Sequence, residues 1–223
     1  MATVQWPLTA IGQSQRSETR QPKVDDTKSA DVEHLIDQLA SRNPEPPQWK
    51  QQSPQAVARE EQIWKAVDRL HEMGLRAFPQ LIAHFDDKRF CCLEDSMASD
   101  DVHHRSVGFV CWIIVRSQVK KYVPWEGPDP RGLPGYASCT LPSDKKEAES
   151  WWKANQTKSL WELQIENVRT VIAENENALK TEKKAYRRKL CEEAIRANER
   201  LAADIAKRRS PIPTEPFRPY SGK

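Results

Sequence analysis

The sequence predicts an all-α fold, and three observations carry that reading. Apolar residues recur at helical spacing in separate stretches, and capping residues stand where those stretches begin. Breakers gather between them: five of the sixteen prolines and three of the seven glycines fall within residues 123–142.

Residues 1–28 are rich in Gln, Ser, Thr and charge with no apolar period, which predicts a loose N-terminal arm. The helical core is expected over 29–122. Val32, Leu35, Ile36 and Leu39 form one stripe of a helix from Ser29 to Arg42, stopped by Asn43, Pro44, Pro46 and Pro47. Ser53 and Pro54 supply an N-cap and a first-turn proline for the next helix, whose Ala56, Val57, Ile63, Trp64, Val67 and Leu70 share a face. Gly74 is suited to the left-handed position that ends it. A short helix over 75–85 turns Phe78, Leu81, Ile82 and Phe85 inward and tolerates Pro79 in its first turn, before an acidic loop over 88–101. Val107 to Tyr122 is apolar on nearly all sides, the pattern of a helix at the centre of a core.

Residues 123–157 read as a Pro/Gly-rich covering loop followed by a short helix capped by Ser143 and bearing Trp151 and Trp152, of which at least one must be buried. Ser159 and Glu162 match a capping box, and neither Gly nor Pro occurs again before Pro211. One long amphipathic helix over 158–209 is therefore expected, a rod of about 75 Å. Its stripe includes Val168, Leu179, Tyr186, Leu190 and Leu201. The eleven-residue spacing of Val168, Leu179, Leu190 and Leu201 favours a straight or slightly right-handed coiled pairing, with Asn175 and Lys183 interrupting the stripe. A Pro-rich tail, 210–223, is expected to be extended.

Composition narrows the classes. With 38% hydrophobic and 30% charged residues the chain is too apolar for full disorder. No secretory signal pattern stands at the start, and the longest uncharged apolar run, Val107 to Val115, spans only about 13 Å as a helix, so no membrane span is expected. An odd cysteine count with Cys91 and Cys92 adjacent suits a reducing cytoplasm. The net charge of +3 conceals a division: residues 180–209 hold eleven Lys or Arg against five acids, so the rest of the chain is near −3.

Residues 56–85, with Ala66, Leu70, Gly74, Ala77, Pro79, Leu81, Ile82, Phe85 and Asp86 in register, resemble one unit of the HEAT-like helical repeats. The wider pattern resembles bacterial proteins of unknown function, through Ala77-Phe78-Pro79, Asp86-Asp87-Lys88-Arg89, Val107-Gly108 with Cys111, and Lys158-Ser159-Leu160 with Glu162-Leu163-Gln164. The resemblance implies a helical-repeat fold and partner binding, and transfers no catalytic residue.

Chemistry-bearing residues give little. His84, Asp86, Cys91, Cys92, Asp95, Asp100, His103 and His104 supply metal-ligand types within about twenty residues but without any preset ligand spacing. Cys111 with His84 or His104 is the one drawable thiol–base pair, and Cys111 lies in the most apolar helix, where burial makes a thiol inert. No phosphate-cradling glycine loop exists, and no cofactor is expected. The expected function is a non-enzymatic helical protein–protein interaction or scaffold module. It would engage a protein partner, or a second copy, through Val168, Leu179, Tyr186, Leu190, Leu201, Trp125 and Trp161. The alternative is a nucleic-acid-associated protein using Lys183, Lys184, Arg187, Arg188, Arg208 and Arg209 to track phosphates. A metal- or thiol-dependent enzyme is the remaining option.

Overall fold

The computed structural model of the chain describes residues 26–40, 54–91, 106–120 and 139–213. The expected arm up to residue 25, most of the Pro/Gly-rich loop with Trp125, and the tail beyond residue 213 lie outside the described residues. Among the described residues there are seven α-helices and no strand: α1 (Asp26–Leu39), α2 (Pro54–Met73), α3 (Phe78–Ala83), α4 (Val107–Val119), α5 (Lys145–Asn155), α6 (Leu160–Thr181) and α7 (Ala185–Arg208). A 3-10 turn, Gly74–Arg76, joins α2 to α3.

The predicted stripes bury as their spacing requires. Val32, Ile36 and Leu39 of α1 meet Ile63, Ala66, Val67 and Leu70 of α2, and α4 packs against α1, α2, α3 and α6 at the centre. Gly74 takes φ +61°, the left-handed conformation that ends α2, and Pro79 lies in the first turn of α3. Ser106 caps α4, its hydroxyl accepting the Phe109 N–H. The start of α4 lies directly on the chain that leaves α3. Val107 N–H donates to Arg89 O (2.8 Å) and Gly108 N–H to Asp87 O (2.9 Å). Only glycine fits at 108, because a Cβ there would stand 2.4 Å from Phe85 O.

Several boundaries differ from the sequence reading. α1 stops at Leu39, α3 at Ala83 and α4 at Val119. α5 is capped by Asp144, not Ser143, with the Asp144 carboxylate accepting the Glu147 N–H. Neither Trp151 nor Trp152 is fully buried; both lie half-buried against the core, Trp152 with its ring 5.4 Å from that of Phe78. Through Leu141 and Ala148 this segment belongs to the core and is more than a cover for it.

The largest difference is at the C-terminus, where the single long helix is two. α6 ends at Thr181, residues 182–184 are extended, and α7 returns antiparallel to α6, so that the start of α6 meets the chain just after α7. Glu182, Lys183 and Lys184 are adequate helix formers, so local propensity favours continuation. Tertiary burial overrides it. A straight rod would leave Ile165, Val168 and Ile205 in water, whereas the hairpin buries all three, with Trp161, Ile172, Leu201, Ala202 and Ile212 packed around them. At roughly 1.5–3 kcal/mol per buried side chain this outweighs the few tenths per residue lost by interrupting a helix. Polar groups then satisfy the turn. Lys184 N–H donates to Glu182 Oε1 (2.9 Å), and the Arg188 guanidinium donates to Leu179 O (2.7 Å) and Glu182 O (3.1 Å).

Candidate functional site

Three places hold the chemistry-bearing residues, and the first is the junction of α1, α3 and α4. His84 follows α3, and its Nε2 lies 2.9 Å from Glu33 of α1 and its Nδ1 3.2 Å from Asp87. Arg89 clasps Asp87 through Nε and Nη2 (2.9 and 2.6 Å to Oδ2) and reaches Asp37 with Nη1 (2.6 Å). Burial pushes Asp87 up, but the bonds from Arg89 and His84 outweigh it and hold the carboxyl below the usual range. These residues form an ionic tether for α1.

Three of the eight ligand types that the sequence gathers without preset spacing, His84, Asp86 and Cys91, are among the described residues, and each is engaged elsewhere. His84 is engaged by carboxylates, Asp86 forms an exposed pair with Lys145 (2.9 Å), and Cys91 is buried in the apolar core. Among the described residues no group of three or more His, Cys, Asp or Glu is arranged to hold a metal ion. Cys92, Asp95, Asp100, His103 and His104 lie outside them. Cys111 is fully buried, and burial, aided by Asp87 and Cys91, pushes its thiol far above the ordinary range, which favours the protonated form.

The second place is the end of α4. Lys120 is only 4% exposed. Burial, with repulsion from Arg116, pushes its ammonium down to about 8, and burial raises the nearby Cys139 thiol. Close by, Gln164 of α6 is fully buried and knots three segments together: its Nε2 donates to Gln118 O (2.9 Å) and Ile212 O (3.3 Å), and its Oε1 accepts the Ile212 N–H (2.9 Å). The first residues of the Pro-rich tail are thereby fastened to the hairpin. Sequence reasoning assigned Gln164 no role. Its position between Leu163 and Ile165, three consecutive buried residues at the start of a helix, is the available signal.

The third place is the hairpin, which carries nearly all the expected binding residues. Val168 is buried inside it, Leu201 and Trp161 pack on the same cluster, and the expected partner face is thus largely closed by its own other half. Leu179 and Leu190 lie half-buried and belong to neither apolar cluster. Tyr186, expected in the stripe, points away and is 63% exposed. Asn175, expected to mark a solvated gap, is instead buried in the seam, its Nδ2 donating to Val171 O (2.8 Å).

The basic residues lie at the two ends of α7. Lys183 and Lys184 are exposed at the tip, and Arg208 and Arg209 lie at the base, about 36 Å away along α7. Arg187 pairs with Glu182 (3.3 Å), Arg188 caps α6, and Arg208 pairs with Asp204 (2.9 Å). Arg187, Arg188 and Arg208 thus stay on one continuous helix, α7, with Lys183 and Lys184 just before its start and Arg209 at its C-cap.

α7 packs chiefly on α6, and α6 reaches the body of the fold mainly through α4. Burial in α6 is concentrated between Leu163 and Val168, with Asn175 alone beyond, so the far half of the hairpin is an arm held at its root. No described helix is long and apolar enough to cross a membrane. Comparison with protein-family models, with curated proteins and with solved structures gives no match.

Proposed function

We propose that the chain is a non-enzymatic helical docking module, in which a HEAT-like core carries the α6–α7 hairpin as its binding arm. One observation carries this reading: α7 packs chiefly on α6, which leaves Leu179 and Leu190 half-covered on the flank of an arm rooted only at its base. Half-covered leucines on a rigid helical pair suit an apolar groove or helix of a protein partner, or a second copy of this chain. The likeness of residues 56–85 to HEAT-like units points the same way. The odd cysteine count, with no disulfide among the described Cys91, Cys111, Cys139 and Cys191, is at home in a reducing cytoplasm.

The test is a photo-cross-linking residue placed at 179 or 190 of the full chain, expressed in its own cells, with the same residue at exposed Glu147 on α5 as control. Adducts to another protein, or to a second copy, are expected at 179 and 190 and not at 147. Absence of adducts at both flank positions, or equal adducts at 147, defeats the proposal.

A further inference from the structure

The tip of the hairpin has a composition that the flank does not share. From Glu182 to Leu190 there are five cations (Lys183, Lys184, Arg187, Arg188, Lys189) and a single acid, Glu182. That acid is half-buried and occupied by Arg187 and by the Lys184 N–H. Lys183 and Lys184 have exposed side chains that make no ion pair, and Lys189 reaches only a loose exposed pair with Glu193 at 3.9 Å. In their midst stands Tyr186, the more exposed of the two large hydrophobic residues that the described surface presents, the other being Phe109. Lys189 lies one turn on from Tyr186 along the same face of α7, and Lys183 and Lys184 lie in the extended turn that leads into the helix.

Tyr186 is 63% exposed, and the charged residues within three positions of it along the chain are all cations. The chemistry complementary to that alternation is a strand in which a flat π-face and an anion repeat side by side. A duplex keeps its bases stacked and out of reach of a convex tip, and an acidic protein surface offers carboxylates but no rings ordered between them. We propose that this tip binds single-stranded nucleic acid, with Tyr186 stacked on one base and Lys183, Lys184 and Lys189 on the flanking phosphates. Neither contact reads a 2′-hydroxyl, so DNA and RNA strands bind alike. The site adjoins the protein-docking flank, Leu190 lying one turn on from Tyr186 along α7, but the two are read by different probes, so either proposal can fail alone.

Fluorescence anisotropy of the full-length protein with short labelled oligothymidylate and oligouridylate tests it. Three phosphate contacts on a single strand give a log–log salt slope of about −2, or roughly fifteen-fold weaker binding between about 50 and 200 mM salt. Tyr186→Ala weakens binding roughly ten-fold while Tyr186→Phe retains it, because stacking needs the ring and not the hydroxyl. Far-ultraviolet dichroism checks that the exposed substitutions leave the helices intact. No binding at low salt, unchanged binding by Tyr186→Ala, tighter binding to the matching duplex, or equal competition by polyglutamate each overturns the proposal.

Discussion

Replacing Gly108 with alanine sets two effects of opposite sign against each other. Gly108 is the second residue of α4, and in an ordinary helix alanine is favoured over glycine by about 1 kcal/mol. Against this, the added Cβ would stand 2.4 Å from Phe85 O, 2.7 Å from Phe85 C and 2.8 Å from His84 O, all backbone atoms that cannot rotate aside. Restoring van der Waals distance requires α4 to retreat by nearly 1 Å, a strain of roughly 1–3 kcal/mol in a packed core. The same retreat stretches the Gly108–Asp87 and Val107–Arg89 hydrogen bonds, at about 1 kcal/mol each. The net expectation is destabilisation by about 2–4 kcal/mol, measured as a lower urea midpoint at unchanged slope by tryptophan fluorescence. Gly74→Ala is the internal control: its Cβ would meet only Gln118 Oε1 at 3.7 Å, so it bears the cost of the left-handed conformation alone, about 1 kcal/mol. Equal or greater stability of Gly108→Ala would refute the close docking of α4 on residues 84–87.

Two further outcomes follow from buried polar groups. Gln164→Leu keeps the bulk but strands the buried Gln118 carbonyl and releases Ile212, for a loss of about 2 kcal/mol in denaturant unfolding, with faster amide exchange at Ile212; wild-type exchange there would refute the knot. Lys120→Met should stabilise the protein at pH 7 by about 1–3 kcal/mol, because below about pH 8 the fold bears the full cost of a buried ammonium. Between about 8 and the ordinary lysine value of 10.5 the folded state sheds this proton before the unfolded one, so this group makes stability rise with pH and the advantage of the variant shrinks. Cys111 and Cys139 act oppositely above pH 9, since burial holds their protons in the fold. The difference between wild type and variant cancels that background, and a difference constant from pH 7 to 10 would refute the assignment.

What was legible in the sequence was local. Helix starts at Val107 and Leu160, the left-handed end at Gly74, the first-turn Pro79 and the stripes of α1, α2 and α4 all follow from periodicity and capping, which act between residues three or four apart. The burial of Cys111 was legible too, because it lies in the most apolar helix. The candidate site was legible only as composition: Lys183, Lys184 and Tyr186 stood out as charge and stripe, and their joint exposure at a tip did not.

The turn at 182–184 carries neither glycine nor proline, and its residues favour helix taken alone. It exists because Val168 and Ile165 can be covered by Ile205 if the chain reverses, and because Arg188 and Glu182 satisfy the backbone groups that reversal exposes. The sequence by itself determined where helices can form and which face of each is apolar. Only the tertiary structure decided which faces meet, since that choice depends on burial between residues some forty positions apart and not on neighbours along the chain.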